Sequence, residues 1–213
     1  MRRIPIGLGS LAAVLLAVAP VGAQAPIKIG LIMPYSGQFA DTAAQMDAAI
    51  KLYVQQHGDT LAGRKVEFIR RDTGGVAPDV AKRLAQELVV RDQVDMLGGF
   101  ILTPNALAGA DVSAEAKKLM VVMNAATSII TTKSPYIVRT SVTTPQLNEV
   151  LGAWAFRNGI RKAYTMVSDY GPGIDAEGAF QRAFKEAGGE IIGSVRFPVA
   201  IPTSLRSCSG PRT

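Results

Sequence analysis

The chain has 213 residues with one Cys and one His, which excludes a disulfide within the chain and a metal site built on paired His or Cys ligands. The formal charge of +6 is concentrated at the ends: Arg2, Arg3, Arg206 and Arg212 lie in terminal segments without an acid, and residues 26–200 carry 19 basic and 17 acidic side chains. A body that close to neutral has no electrostatic footprint for nucleic acid, although a small anionic ligand stays open to it, and nearly half its residues are apolar, as in a globular protein.

Met1-Arg2-Arg3 is followed by an apolar run from Ile4 to Val18 and then by the small residues of Gly22-Ala23-Gln24-Ala25. A basic start, a short apolar core and an A-x-A-like site are the three parts of a secretory signal. The run is shorter than the about 20 apolar residues that a membrane span needs. Residues 1–23 are therefore expected to be a cleaved signal peptide, and the protein to be periplasmic. Cleavage after Ala25 is the alternative, with Pro26 just beyond it favouring Ala23. No Cys stands near the site to carry a lipid.

The body then alternates strand and helix signals. Ile27–Met33 reads as a buried strand, and Ala43, Met46, Ala49, Ile50 and Tyr53 recur at helical spacing between about residues 39 and 56. Gly58 and Gly63 bracket a turn before a second strand at Val66–Ile69. A helix from Pro78 to about Arg91 has Pro in its first turn and Asp79 at the positive end of its dipole. Val94–Gly98 is the third strand, Thr103-Pro104 opens a helix to about Lys118, and Leu119–Met123 is the fourth. Strand and helix in alternation with short links predict a parallel sheet with right-handed crossovers.

Tyr136–Arg139 is a further short strand. Thr143-Thr144-Pro145 starts a new helix, Thr capping and Pro in the first turn, which runs to about Asn158. A strand at Ala163–Val167, a helix from about Ile174 to Ala187 and a strand at Ile191–Phe197 complete a second α/β unit, with Ser141 to Thr144 as the crossover. Trp154, at helical spacing with Leu147 and Val150-Leu151, is read as core. His57 is read as a helix-end partner of the dipole, and Met96, Met120 and Met123 as core filler. Residues 201–213 have no periodicity and no acid. They are expected to be an aberrant or disordered tail, since a further helix is due after the last strand.

In this order the segments resemble the leucine/isoleucine/valine-binding family of periplasmic proteins. Ile29–Gly37 resembles its opening strand and loop, Leu61–Glu67 its link into strand two, and Arg71–Gly74 the exit from that strand. Val80–Val89 resembles its second helix, Val122–Ser128 its fourth-strand exit, and Ser168–Gly171 the strand exit of its second lobe. The resemblance covers residues 27 to about 200. It implies an α/β fold of two-lobe periplasmic-binding-protein architecture with parallel sheets: lobe 1 at 24–140 and a partial lobe 2 at 141–200. Family chains are longer, so the second lobe is expected to be incomplete and the chain truncated at its C-terminus.

Ligands of open parallel sheets bind outside the carboxyl ends of the strands. Thr103, just before Pro104-Asn105, sits where a helix start can hold an anion or where a Thr simply caps the helix. By resemblance it matches a family Ser or Thr on the ligand carboxylate. Ala125 and Thr127 match the family's second ligand loop, in which a backbone carbonyl takes an amino group and a Thr takes the carboxylate; an ordinary solvated loop is the alternative. Tyr35 and Ser36 follow the first strand, where Tyr35 either lines the cleft or packs on lobe 1. Tyr170 matches a family aromatic against the apolar part of the solute, or else packs in its turn. Gly171-Pro172-Gly173 lacks the G-x-G-x-x-G pattern of a dinucleotide site.

The resemblance implies the solute-binding component of an ABC importer, capturing an amino acid or related carboxylate and handing it to an inner-membrane permease. A sensor domain on the same fold, or a fragment that binds nothing, are the other readings. No nucleophile–base pair, carboxylate dyad or metal cluster is legible, so enzyme activity is not expected. No cofactor and no nucleic-acid partner are expected.

Overall fold

The computed structural model describes residues 24–198. The expected signal peptide at 1–23 and the tail at 201–213 lie outside the described residues. The first sheet has six strands: β1 (Ile27–Met33), β2 (Thr60–Leu61), β3 (Arg64–Asp72), β4 (Met96–Gly99), β5 (Leu119–Val122) and β6 (Ile137–Arg139). They lie in the order β2-β3-β1-β4-β5-β6, every pair parallel except β2–β3. The short β2 was not legible as a strand. It pairs back on β3 through Ala62 (φ 50°) and Gly63 (φ 78°), two successive positive φ angles that suit the right-handed twist of a two-residue hairpin.

Three helices cover this sheet: α1 (Ala40–His57), α2 (Pro78–Val90) and α3 (Thr103–Ala116). Strand alternation sorts the side chains of β1 between the two faces. Ile32 joins Leu84, Leu88, Leu97, Ala106, Ala110, Met120 and Val122 in the core beneath α2 and α3. Leu31 and Met33 join Ala43, Ile101 and Leu102 in the core beneath α1, with Phe68 and Met46 packed at its margin. Both faces of the central strands are thus buried, which is why Ile27–Met33 reads as a continuous apolar run.

Between Arg139 and Thr144 the chain passes to a second unit: α4 (Thr144–Arg157), β7 (Lys162–Ser168), α5 (Gly171–Glu186) and β8 (Glu190–Phe197), with β7 and β8 parallel. Thr143 caps α4, as the sequence led one to expect, and closes a capping box that it did not announce, its hydroxyl accepting from Gln146 N while its own N–H donates to Gln146 Oε1. Phe180 stacks on Phe184 at 5.4 Å and Phe156 meets Phe184 edge-on at 6.3 Å, joining α4 to α5. Glu177 of α5, 6% exposed, accepts from Arg196 of β8 and from the hydroxyl of Thr165 of β7. This polar knot joins helix and strands where a larger sheet would supply apolar contacts.

Two readings change here. Helix α5 begins at Gly171 rather than Ile174, because the first turn accommodates Pro172 and because a Cβ at Gly173 would lie 1.9 Å from the carbonyl oxygen of Ser168. Trp154 is not core. It is 51% exposed, and Leu147, Val150 and Leu151 are exposed with it, because α5 takes the opposite side of α4. Tyr164, Met166, Ile192, Val195 and Phe197 are also exposed on the two-stranded sheet. A sheet of two strands with apolar surface and unpaired edges invites self-association. The 213-residue chain made on its own is expected to form concentration-dependent oligomers and to bind a hydrophobic dye. Sedimentation velocity showing a monomer across a wide concentration range would contradict this.

Candidate functional site

The carboxyl ends of β4, β5 and β6 and the end of β7 turn toward one another. Phe100, at the exit of β4, holds a left-handed φ of 59° with its side chain buried. Its ring edge lies so close to α3 that a Cβ at Gly109 would come within 2.4 Å of it. That strained residue is held by packing on every side, the condition under which such a conformation persists. It fixes the loop leading to Thr103. The β5 exit is tied to the same loop: Met123 N donates to Gly99 O at 2.7 Å, Ala125 N to Phe100 O at 3.0 Å and Asn124 Nδ2 to Ile101 O at 3.2 Å.

This scaffold brings Thr103 and Thr127 together. Their hydroxyl oxygens are 2.7 Å apart, in side chains 3% and 4% exposed. Thr103 is not the cap of α3. Leu102 holds that position and no side chain caps it, so the Thr103 hydroxyl is committed to Thr127. In such a pair one hydroxyl donates and the other accepts, and the acceptor keeps a proton to donate elsewhere. The amino end of α3 begins at this pair. The amino end of α5 arrives from the second unit: a Cβ at Gly171 would lie 3.0 Å from Thr127 Oγ1 and 3.2 Å from Thr103 Cγ2. Two helix dipoles therefore bring their positive ends to the same two hydroxyls. Asp175 of α5 seals the contact by accepting Ser128 N–H at 2.7 Å.

Beside the pair is a cavity of about 320 Å³. Its lining includes Phe39, Ile101, Leu102, Tyr170 and Pro172 as apolar walls, with Thr103, Asn124 and Ala125 toward the polar end. No Asp or Glu is among the described residues that line it. Of the residues singled out from sequence, Thr103, Ala125 and Tyr170 line this cavity, and Thr127 is bonded to Thr103 at its base.

Tyr35 and Ser36 are elsewhere. Asp72, at the end of β3, accepts the backbone N–H groups of Tyr35, Ser36 and Gly74 at 2.8, 3.2 and 2.8 Å. Burial pushes that carboxyl up, but the Ser36 hydroxyl and those N–H groups outweigh it and hold it below the usual carboxylate range. Ser36 is exposed at this turn. The Tyr35 ring packs in the core beneath α1. Its hydroxyl, near Asp47 and Arg70, meets no partner at hydrogen-bonding geometry among the described residues. Burial, and then the Asp47 charge, push it up to about 12, so it stays neutral at any working pH. Tyr35→Phe is expected to leave ligand affinity unchanged and to alter stability by no more than about 1 kcal/mol, since only an unpaired hydroxyl is lost. Parallel titration calorimetry and thermal melts check both.

Sequence reasoning passed over Arg139. It stands at the carboxyl end of β6, and its Nη1 donates to the carbonyl of Ala125 at 3.1 Å and to that of Thr127 at 2.7 Å. Burial pulls the guanidinium below its usual range, with Asp175 opposing. The signal was available: an Arg ending a parallel strand stands at the ligand edge of the sheet. Among the described residues no group of His, Cys, Asp and Glu is arranged to hold a metal ion.

Two α/β units thus bring the ends of their sheets to one shared cavity. The profile of the periplasmic binding protein family matches residues 26–205, and the chain belongs to that family. Leu/Ile/Val-binding protein homolog 6 of Brucella abortus (strain 2308) is 45% identical over 195 residues, covering 92% of this chain and 50% of the relative. The chain thus spans about half the length of the curated relatives it matches. An ABC-transporter solute-binding protein of Rhodopseudomonas palustris BisB5, solved with 3,4-dihydroxybenzoic acid, is 50% identical with a TM-score of 0.80, over 82% of this chain and 48% of that one. Another from R. palustris, solved with 4-hydroxybenzoate, is 47% identical with a TM-score of 0.79, over 83% and 48%. The resemblance read from the sequence is borne out at the level of family and fold.

Proposed function

We propose that the chain is the solute-capturing part of an ABC importer and that its solute is a small aromatic carboxylate. The observation that carries this is the buried Thr103–Thr127 hydroxyl pair at the meeting of two helix amino ends, beside a cavity walled by Phe39, Tyr170 and Leu102. Hydroxyl donors and helix dipoles suit a carboxylate, and aromatic and aliphatic walls suit a flat ring. In this reading Thr103 and Thr127 take the carboxylate, Ala125 shapes the polar end, and Tyr170 covers the ring. Tyr35 and Ser36 act only by building the turn beyond β1. The solved relatives that hold hydroxybenzoates support an aromatic acid within the expected class of an amino acid or related carboxylate.

Export to the periplasm and delivery to a permease in the inner membrane belong to the same reading. Among the described residues no helix is long and apolar enough to cross a membrane. In this reading the chain forms a first lobe at 24–140 and a partial second lobe at 141–200, with the crossover at Ser141 to Thr144 between the two sheets serving as the hinge. Titration calorimetry of the protein expressed from its complete reading frame, with 4-hydroxybenzoate, 3,4-dihydroxybenzoate and leucine, tests the proposal. Saturable binding of a hydroxybenzoate and none of leucine is expected; the reverse order overturns it.

A further inference from the structure

We propose that Asp175 is the latch of this cleft: a positioning residue that fastens the second unit onto the loop carrying Thr127, and so sets how long a captured solute stays. The proposal rests on the solute-capturing reading of the site, whichever solute it takes, and adds to it the contact that holds the two units on that solute.

The loop at residues 125–128 is bonded to the second unit at two places. The carbonyl of Ala126 accepts the N–H of Thr144 at 2.9 Å and its hydroxyl at 3.3 Å. Thr144 opens α4 directly after the crossover, so this contact lies at the hinge itself. Ser128 donates its N–H to Asp175 at 2.7 Å, across 47 residues of chain. Asp175 belongs to α5, past the whole of α4 and β7, and nothing in the crossover obliges it to be there. It also stands beyond the first turn of α5, which contains no acid, so it is neither a cap nor a partner of the helix dipole.

Gly171 and Asp175 are four residues apart, so they stand one turn apart on one face of α5. That face meets the first unit twice. Gly171 lies against the threonine pair, where a Cβ would come within 3.0 Å of Thr127 Oγ1, and Asp175 takes the N–H of Ser128 one turn further on. The glycine permits close approach but offers only dispersion; the charge-assisted hydrogen bond at Asp175 supplies the hold. With α5 held in this place, Tyr170 and Pro172 at its start become walls of the cavity. The Asp175 charge also acts on Arg139, opposing the effect of burial on the guanidinium that grips the carbonyl of Thr127. A rotation about the crossover leaves the Thr144 contact near its pivot and breaks the one at Asp175. Solute meets the threonine pair before the latch engages, so loss of the latch is read in dissociation rather than in association.

The test is stopped-flow binding of 4-hydroxybenzoate, 3,4-dihydroxybenzoate and leucine to the protein expressed from its complete reading frame. Asp175→Ala and Asp175→Asn act on the acceptor. Ser128→Pro removes the same hydrogen bond from the donor side, at the first position of a short 3-10 helix and after an extended Thr127, where Pro fits. Thermal melts monitor folding of each. For whichever solute binds, the association rate is expected to stay within about twofold of native in Asp175→Ala, while dissociation becomes about 10-fold faster. That is the low end for a hydrogen bond to a charged group, since this one is exposed to solvent. Asp175→Asn keeps an acceptor and is expected to fall between native and Ala. The double variant Asp175→Ala with Ser128→Pro should release solute no faster than either single one, because all three remove one and the same bond. A lowered melting temperature with unchanged dissociation means a merely structural role and overturns the proposal, and so do additive effects in the double variant. Binding of leucine alone overturns the aromatic-acid reading, and the latch then stands or falls on the same rates measured with leucine. If the native protein binds none of the three, both fall.

Discussion

Replacing Thr103 and Thr127 together by Val is expected to lower affinity for the aromatic acid by about 100- to 1,000-fold with little change in melting temperature. A hydrogen bond to a charged group contributes roughly 1.5–3 kcal/mol. The two contributions are coupled, because the hydroxyls are 2.7 Å apart and partner one another, so the pair falls short of the simple sum. Stability is protected by the same geometry. Removing both members of a buried hydrogen-bonded pair in favour of groups of similar shape is close to neutral, whereas removing one leaves the other unsatisfied. Thr127→Val alone should therefore destabilise more than the double variant, by about 1–2 kcal/mol. Because Leu102 and not Thr103 occupies the cap position, no helix-cap loss is added. Calorimetry and thermal denaturation of the two singles and the double decide the matter. An unchanged affinity in the double variant would reject the site.

The second large effect is expected at Glu177. Its carboxylate is buried between α5 and the small sheet and accepts from Arg196 at 2.7 and 2.8 Å and from Thr165 at 3.2 Å. Glu177→Ala strips the acceptor from both and opens a space behind α5. Breaking a sealed ion pair from one side costs about 3–5 kcal/mol. Arg196 is part-exposed and water recovers some of its loss, so about 2–3 kcal/mol is expected for the second unit. The hydrogen bonds from Arg196 outweigh burial and hold this carboxyl below its usual 4.5. A depressed carboxyl contributes its stability in full above its unfolded value and loses it as pH falls through the folded one. The native protein should accordingly lose part of its stability on acidification from about pH 4.5 downward, and Glu177→Ala should show a flatter profile. Urea denaturation at several acidic pH values, followed by the fluorescence of Trp154 in that unit, checks both statements. Parallel pH profiles for the two proteins would contradict them.

The order of strands and helices was legible because it depends on local period and on chain punctuation. Ile27–Met33 announces a strand buried on both faces, Pro78 and Pro145 announce helix starts, and the chain of β-α steps allows little besides parallel sheets. What sequence periodicity cannot report is whether a partner surface exists for an apolar stripe. Leu147, Val150, Leu151 and Trp154 carry the helical spacing of a buried face, yet α5 lies on the other side of α4 and leaves them in solvent. The alternation was real; its burial depended on what else packs there.

The candidate site divides the same way. That Thr103, Ala125, Thr127 and Tyr170 stand at strand exits follows from position along the chain, since strands of a parallel sheet share one carboxyl end. Tyr35 and Ser36 share that end but not the cavity, because the carboxylate of Asp72 gathers their N–H groups and turns the loop toward α1. The meeting of Thr103 with Thr127, 24 residues apart, the arrival of Gly171 over them, and the grip of Arg139 on two carbonyls depend on distances between elements far apart in the chain. By itself the sequence determined the fold class and the edge of the sheet where a ligand is expected, since these follow from local pattern and strand direction, and the family followed from the resemblance of its ordered segments. Only the tertiary structure decided which hydroxyls face each other and which carbonyls Arg139 holds, because hydrogen bonds between loops exist only after the sheet has fixed their separation.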